Sequence, residues 1–384
     1  MVFLLEYIID IITFNYRIYK YNHMNQSKRI FYYDVLRALA IIGIVFCHAS
    51  IVFVLTGINN PDFYISAFFD CFREFSIPVF VMLSGALLIN KKDSLKTFFK
   101  KRLSRIFIPF LFWVVIYIVY SSLFVTHGFD LSYSIDVFFG TSSTLGVAFW
   151  FIWMITIAYI LIFIINQTIS FGLKKDDAFD KKFINFLTII SLIYFVIVQF
   201  HLFNPYPSKI TYFISFMAYI IIGYFIANNN YLESKIPANR LAIITGILFI
   251  ATYLYYIFGY VVPMSQSHNH FTALGYFNLT ILFMSVNFFL MFKFLSKANY
   301  MDNLENNSLG KAFTYISNYS FGIYLAHYMI LHCLKNNLLN LTDYTQQSPL
   351  FWIPLFVVLT LIISLLILSI LNKIPYLKRV SGNN

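Results

Sequence analysis

Asp34, Arg37 and His48 interrupt the otherwise apolar run RIFYYDVLRALAIIGIVFCHAS at residues 29–50. An imidazole, which titrates near neutral pH, suits general-base work. A guanidinium fork suits phosphate or carboxylate. Arg37 and His48 are eleven positions apart. On a helix, eleven steps of about 100° return to within about 20° of the starting face, about 16 Å further along the axis. Asp34 and Arg37, three apart, can form an ion pair. Each residue also has a plainer reading, Arg37 as a snorkelling anchor and His48 as a histidine bonded to a neighbouring helix. Ionisable groups inside a bilayer are nevertheless costly and mark functional sites.

Four further stretches carry polar chemistry. NKKDSLKTFFKKRLSRIFIPF, residues 90–110, holds seven basic residues against one Asp. Its lysines read as a loop bound to anionic headgroups. Arg102 and Arg105, three apart before Pro109, are placed to grip a phosphate or pyrophosphate. In CFREFSIPVFVMLSGALLI, residues 71–89, Arg73 and Glu74 sit at one mouth and Pro78 can kink the helix. There Ser84-Gly85 reads first as close helix packing. In YISNYSFGIYLAHYMILHCL, residues 315–334, His327 is mid-run with Tyr324 one turn before it and Ser320 on roughly the same side; a structural Tyr–His pair and a cavity lining are both open. Trp150 and Trp153 suit an interfacial aromatic belt. His268 and His270 are a weak metal signal without supporting ligands, and no metal site is expected.

The elements that must position these residues are membrane helices. Of the 384 residues, 60% are hydrophobic and only 11% charged, far below the quarter usual in soluble domains. Ten apolar stretches read as spans, roughly 33–55, 74–90, 106–126, 148–167, 184–201, 210–227, 241–262, 271–292, 312–334 and 350–371. If the N-terminus is cytoplasmic, the outer side keeps only Arg73, Lys209 and Lys335 of the 27 basic residues. That asymmetry supports both the count and two cytoplasmic termini. It also explains the net charge of +11 without a nucleic-acid partner. Cys47, Cys71 and Cys333 are scattered and read as buried thiols. The expected organisation is a 1–27 extension (an interfacial helix or a misassigned start), a 28–372 membrane domain and a 373–384 cytoplasmic tail.

In this order the stretches resemble the acyltransferase-3 family of integral-membrane acyltransferases. The likeness rests on Asp34-x-x-Arg37 with His48, on Ser76-Ile77-Pro78-Val79-Phe80 through Ser84-Gly85, on Arg102-x-x-Arg105, and on Ser320-Phe321-Gly322-Ile323-Tyr324-Leu325-x-His327. Within the family it is similar to the enterobacterial common antigen O-acetyltransferase type. One departure is Ala148, where many members carry a histidine two before the tryptophan. The resemblance implies acylation of extracytoplasmic sugars from cytosolic acyl-CoA.

The expectation is therefore an all-α polytopic protein of the cell membrane, with about ten transmembrane helices. It would move an acyl group, expected to be acetyl, from acyl-CoA or acetyl-CoA to a hydroxyl of a cell-envelope polysaccharide, glycolipid or lipid-linked sugar, with membrane lipids as surroundings and no bound cofactor. His48 would be general base or carry an acyl intermediate, and Arg37 would line the donor path. Arg102 and Arg105 would hold donor phosphates; Asp34, Tyr324, His327 and Arg73 would support them. A lipid-linked-sugar flippase and a non-catalytic scaffold remain as alternatives.

Overall fold

The computed structural model describes residues 29–54, 62–91, 94–141, 145–173, 179–200, 209–263, 276, 278–338 and 348–382. The expectations for residues 1–27 and for His268 and His270 fall outside them. Met1–Phe31 forms one unit and Tyr32–Asn384 a second. Only Arg29, Ile30 and Phe31 of the first are described, and the helical bundle belongs to the second.

All regular structure among the described residues is helical. The helices are α1 (Phe31–Val54), α2 (Phe63–Asp70), α3 (Phe72–Leu88), α4 (Ser104–Phe124), α5 (Leu131–Phe139), α6 (Trp150–Gly172), α7 (Phe179–Gln199), α8 (Lys209–Asn228), α9 (Ala238–Tyr256), α10 (Leu279–Lys297), α11 (Ser308–Cys333) and α12 (Pro349–Lys373). Among the described residues, each of the ten apolar stretches contains a helix. Among the described residues, eight helical stretches are long and apolar enough to cross a membrane. The two outside that set are α8, whose apolar part is the shorter Phe213–Asn228, and α11. The latter is too rich in Ser, Tyr, Asn and His for a simple hydropathy criterion. The protein is an all-α polytopic membrane protein.

Side-chain placement fits lipid outside and polar groups within. Leu111, Val115, Val119 and Leu123 are exposed along α4, and Val358, Ile362, Leu366 and Ile370 along α12. Both sets recur every four residues, which makes a single apolar stripe on each helix. Behind the α12 stripe Thr360 and Ser364 are fully buried. The middle of the bundle belongs to α1, none of whose described residues is exposed. A helix enclosed on all sides is the natural carrier of a site that must be kept from lipid.

Local devices hold the frame. Asn278 caps α10 through the Thr280 N–H (2.7 Å), and Asn307 caps α11 through the Gly310 N–H (2.9 Å). Lys293, buried in α10, donates to the carbonyls of Ile226 (2.9 Å) and Asn229 (2.5 Å) at the end of α8 and pairs with Glu233 at 2.8 Å. A cation there satisfies carbonyls left open at a helix C-terminus. Helices α3 and α8 cross so closely that a Cβ on Gly85 would overlap the Ile220 backbone, and one on Gly223 the Met82 backbone. Small residues permit such backbone approach in membrane bundles. Gly85→Val is therefore expected to force the crossing apart at about 1–3 kcal/mol or more. A drop in the yield of monodisperse protein, and in its melting temperature, checks this; wild-type values would contradict it.

The chain end also packs. The 3₁₀ turn Lys378–Ser381 lies against α4, α11 and α12, with Val380 and Ser381 buried. The Ser381 carbonyl occupies the space that a Cβ on Gly322 would need. Gly322 of the late motif is thus a packing residue.

Candidate functional site

Two polar clusters lie along α1, one at each member of the Arg37–His48 stripe. At Arg37, the Asp34 carboxylate is 3.7 Å from the guanidinium and accepts a 2.7 Å bond from the Ser317 hydroxyl; Arg37 donates to the same hydroxyl at 3.2 Å. Asp34 is buried and Arg37 half-buried. The expected i,i+3 pair is present, and Ser317 of α11 completes it. The Tyr159 hydroxyl, from α6, lies near Ser84 of α3 and within electrostatic reach of both Arg37 and Arg102. Arg37, Ser84, Arg102 and Tyr159 are all half-buried. They bring two cations and two hydroxyls together, a set suited to an anion.

Arg102 and Arg105 are not equivalent. Arg102 lies in a π-helical turn, Phe99–Leu103, just before α4 begins at Ser104. The wider turn takes Arg102 off the regular three-residue face shared with Arg105. Arg102 is half-buried, Arg105 is exposed, and only Arg102 shares the Tyr159 surroundings.

At the other end, His48 is half-buried. Its ring centroid lies 5.2 Å from that of His327 and 5.0 Å from that of Tyr328, the latter edge-on at 88°. His327 is fully buried, and Nδ1 bonds the Tyr324 carbonyl at 2.7 Å. The Tyr324 ring is 5.7 Å from His327, and its hydroxyl donates to the Ala148 carbonyl. Tyr324 thus braces α11 against the entry of α6. Lys335, buried, donates to the carbonyls of His48 and Ala49, both at 3.2 Å, above the Phe356 ring. It steadies the backbone of the His48 turn.

Arg73 belongs to a buried carboxylate cluster beside this turn. It bonds Glu74 at 2.7 and 3.2 Å, lies 3.8 Å from Asp70, and reaches the Cys47 sulfur at 3.5 Å. Asp70 also accepts from Ser50 at 3.4 Å. Asp70 and Glu74 are buried. Cys47 and Ser50 flank His48, so the cluster clamps the same turn. Asp70 was not singled out from the sequence, although Asp70-x-x-Arg73 repeats the spacing of Asp34-x-x-Arg37. Ser317 and Tyr159 were missed as well. Trp153 donates to the Phe138 carbonyl at 3.1 Å, and Trp150 stacks near Tyr276 at 6.4 Å.

The acyltransferase-3 family model, described as an acyltransferase domain, matches residues 30–369, nearly the whole chain. The chain belongs to the acyltransferase-3 family. It is a multi-pass membrane acyltransferase. No curated protein and no solved structure matches it. The family match covers both ends of the α1 stripe and all four motifs in which this acyltransferase resembles other members.

Proposed function

We propose that this acyltransferase moves an acetyl group from cytosolic acetyl-CoA to a hydroxyl of a cell-envelope polysaccharide or glycolipid. It would lie in the cell membrane with both termini cytoplasmic, as the placement of basic residues suggests. One observation carries the reading: an enclosed helix joins an anion-suited cluster at Arg37 to a histidine pair at His48. The donor is an anionic thioester on the inner side, and the acceptor is a hydroxyl on the outer side.

In this scheme Arg102 and Arg37, with Tyr159 and Ser84, hold donor phosphates, while Arg105 adds longer-range attraction. His48 removes the proton from the acceptor hydroxyl as its oxygen bonds to the acyl carbon. The C–S bond breaks, and the thiolate of coenzyme A takes up the proton. The Arg73 cluster and Lys335 keep the His48 turn in place without entering the reaction.

Membranes containing the protein, given labelled acetyl-CoA and extracted envelope glycans, are expected to produce labelled glycan. Membranes that move glycan across the bilayer with no label transferred would instead identify a flippase and end this reading.

A further inference from the structure

His327 is fully enclosed, and its ring is bonded on one side only. Nδ1 lies 2.7 Å from the Tyr324 carbonyl and 3.2 Å from that of Ile323. Carbonyl oxygens only accept, so Nδ1 carries the hydrogen and donates it. In the neutral ring Nε2 is then a bare lone pair. Among the described residues that buried atom has no hydrogen-bond partner, a costly arrangement that a merely structural histidine has no reason to keep. The neighbouring imidazole is His48, 5.2 Å away between centroids and tilted by 39°. At that separation the ring nitrogens can come within hydrogen-bond distance. Tyr328 packs edge-on against both rings, at 5.0 and 6.4 Å, and so restricts how they turn.

We propose that His48 and His327 form a two-histidine proton relay in which Nε2 of His327 receives the proton released by the acceptor hydroxyl. This rests on the reading of His48 as general base. One nitrogen of His48 takes the hydroxyl proton while its other N–H passes to Nε2 of His327. His48 ends neutral, and His327 carries hydrogen on both nitrogens. The reverse transfer delivers the proton to the thiolate after the C–S bond breaks, so neither ring changes overall. The charged groups near His48 are Lys335 and Arg73, the latter paired with Asp70 and Glu74. His327 is faced by Tyr324, Tyr328 and His48. His327 touches no reacting atom in this scheme and is a positioning and proton-holding residue.

The test uses the full chain in membranes, with labelled acetyl-CoA and extracted envelope glycans. His327→Gln keeps an N–H able to bond the Tyr324 carbonyl but cannot hold a proton. His327→Ala leaves a ring-sized space. Both are expected to lose about 10²-fold in kcat, with the KM for acetyl-CoA unchanged. Added imidazole should restore at least about tenfold of that loss to His327→Ala. Pyrazole, of the same shape and far less basic, should restore none. Equal repair by both azoles or by neither overturns the relay, as does His327→Gln working at the wild-type rate. A wild-type protein that transfers no label overturns the function itself, so the two failures are distinct.

Discussion

His48→Ala is expected to leave the protein in the membrane at wild-type abundance and to remove acyl transfer. The expected loss is about 10²–10⁴-fold in kcat, the range attributable to a positioned general base. Abundance should hold because the bonds fixing this turn do not involve the imidazole. Lys335 grips the His48 and Ala49 carbonyls, and the Arg73 cluster holds Cys47 and Ser50. The imidazole is half-buried, so its removal opens less of a cavity than truncating a core residue. His48→Asn separates polarity from basicity and should be equally inactive. Quantifying the protein by immunoblot beside label incorporation decides the matter. Activity within about threefold of wild type, well short of the base's share, would remove His48 from the reaction.

The second large effect lies at the donor end, where the two arginines should behave unequally. Arg102→Ala is expected to raise the KM for acetyl-CoA roughly ten- to a hundredfold. That range corresponds to about 1.5–3 kcal/mol for a hydrogen bond to a charged group. Arg105→Ala, at an exposed position, should change it by less than about threefold. The Arg102 effect should also survive added salt better, because half-buried charge is screened less than exposed charge. Steady-state kinetics over a range of acetyl-CoA at two ionic strengths check both statements. Equal effects from the two substitutions would mean that the π-helical turn does not separate their roles.

The ten longer helices were legible in the sequence because each apolar run is long and most are bounded by charge; the short α2 and α5 carry no such signal. The Asp34–Arg37 pair was legible for a similar reason, since both partners sit one turn apart. Three other features depend on which helix faces meet. Ser317 reaches Asp34 across 283 positions, and serine is too common to announce such a contact. Tyr159 is one of 29 tyrosines, distinguished only by lying near Arg37 and Arg102 at once. The inequality of Arg102 and Arg105 arises from a single π-helical turn, which has no clear residue signature. Asp70 is different: its spacing to Arg73 was readable, but its place in a short helix between two longer apolar runs hid its burial.

The Asp34–Arg37 pair also bears on how the protein is assembled. Arg37 bonds Ser317 across 280 positions, so the ribosome makes α1 long before its partner on α11 exists. During that interval α1 must enter the bilayer, where an arginine costs up to about 2.5–3.5 kcal/mol at a helix centre and less towards an end, as at Arg37. Asp34, one turn away, accompanies Arg37 through insertion as a built-in counter-ion, and Ser317 closes the arrangement once α11 arrives. The aspartate thereby serves the making of the site as well as the finished site.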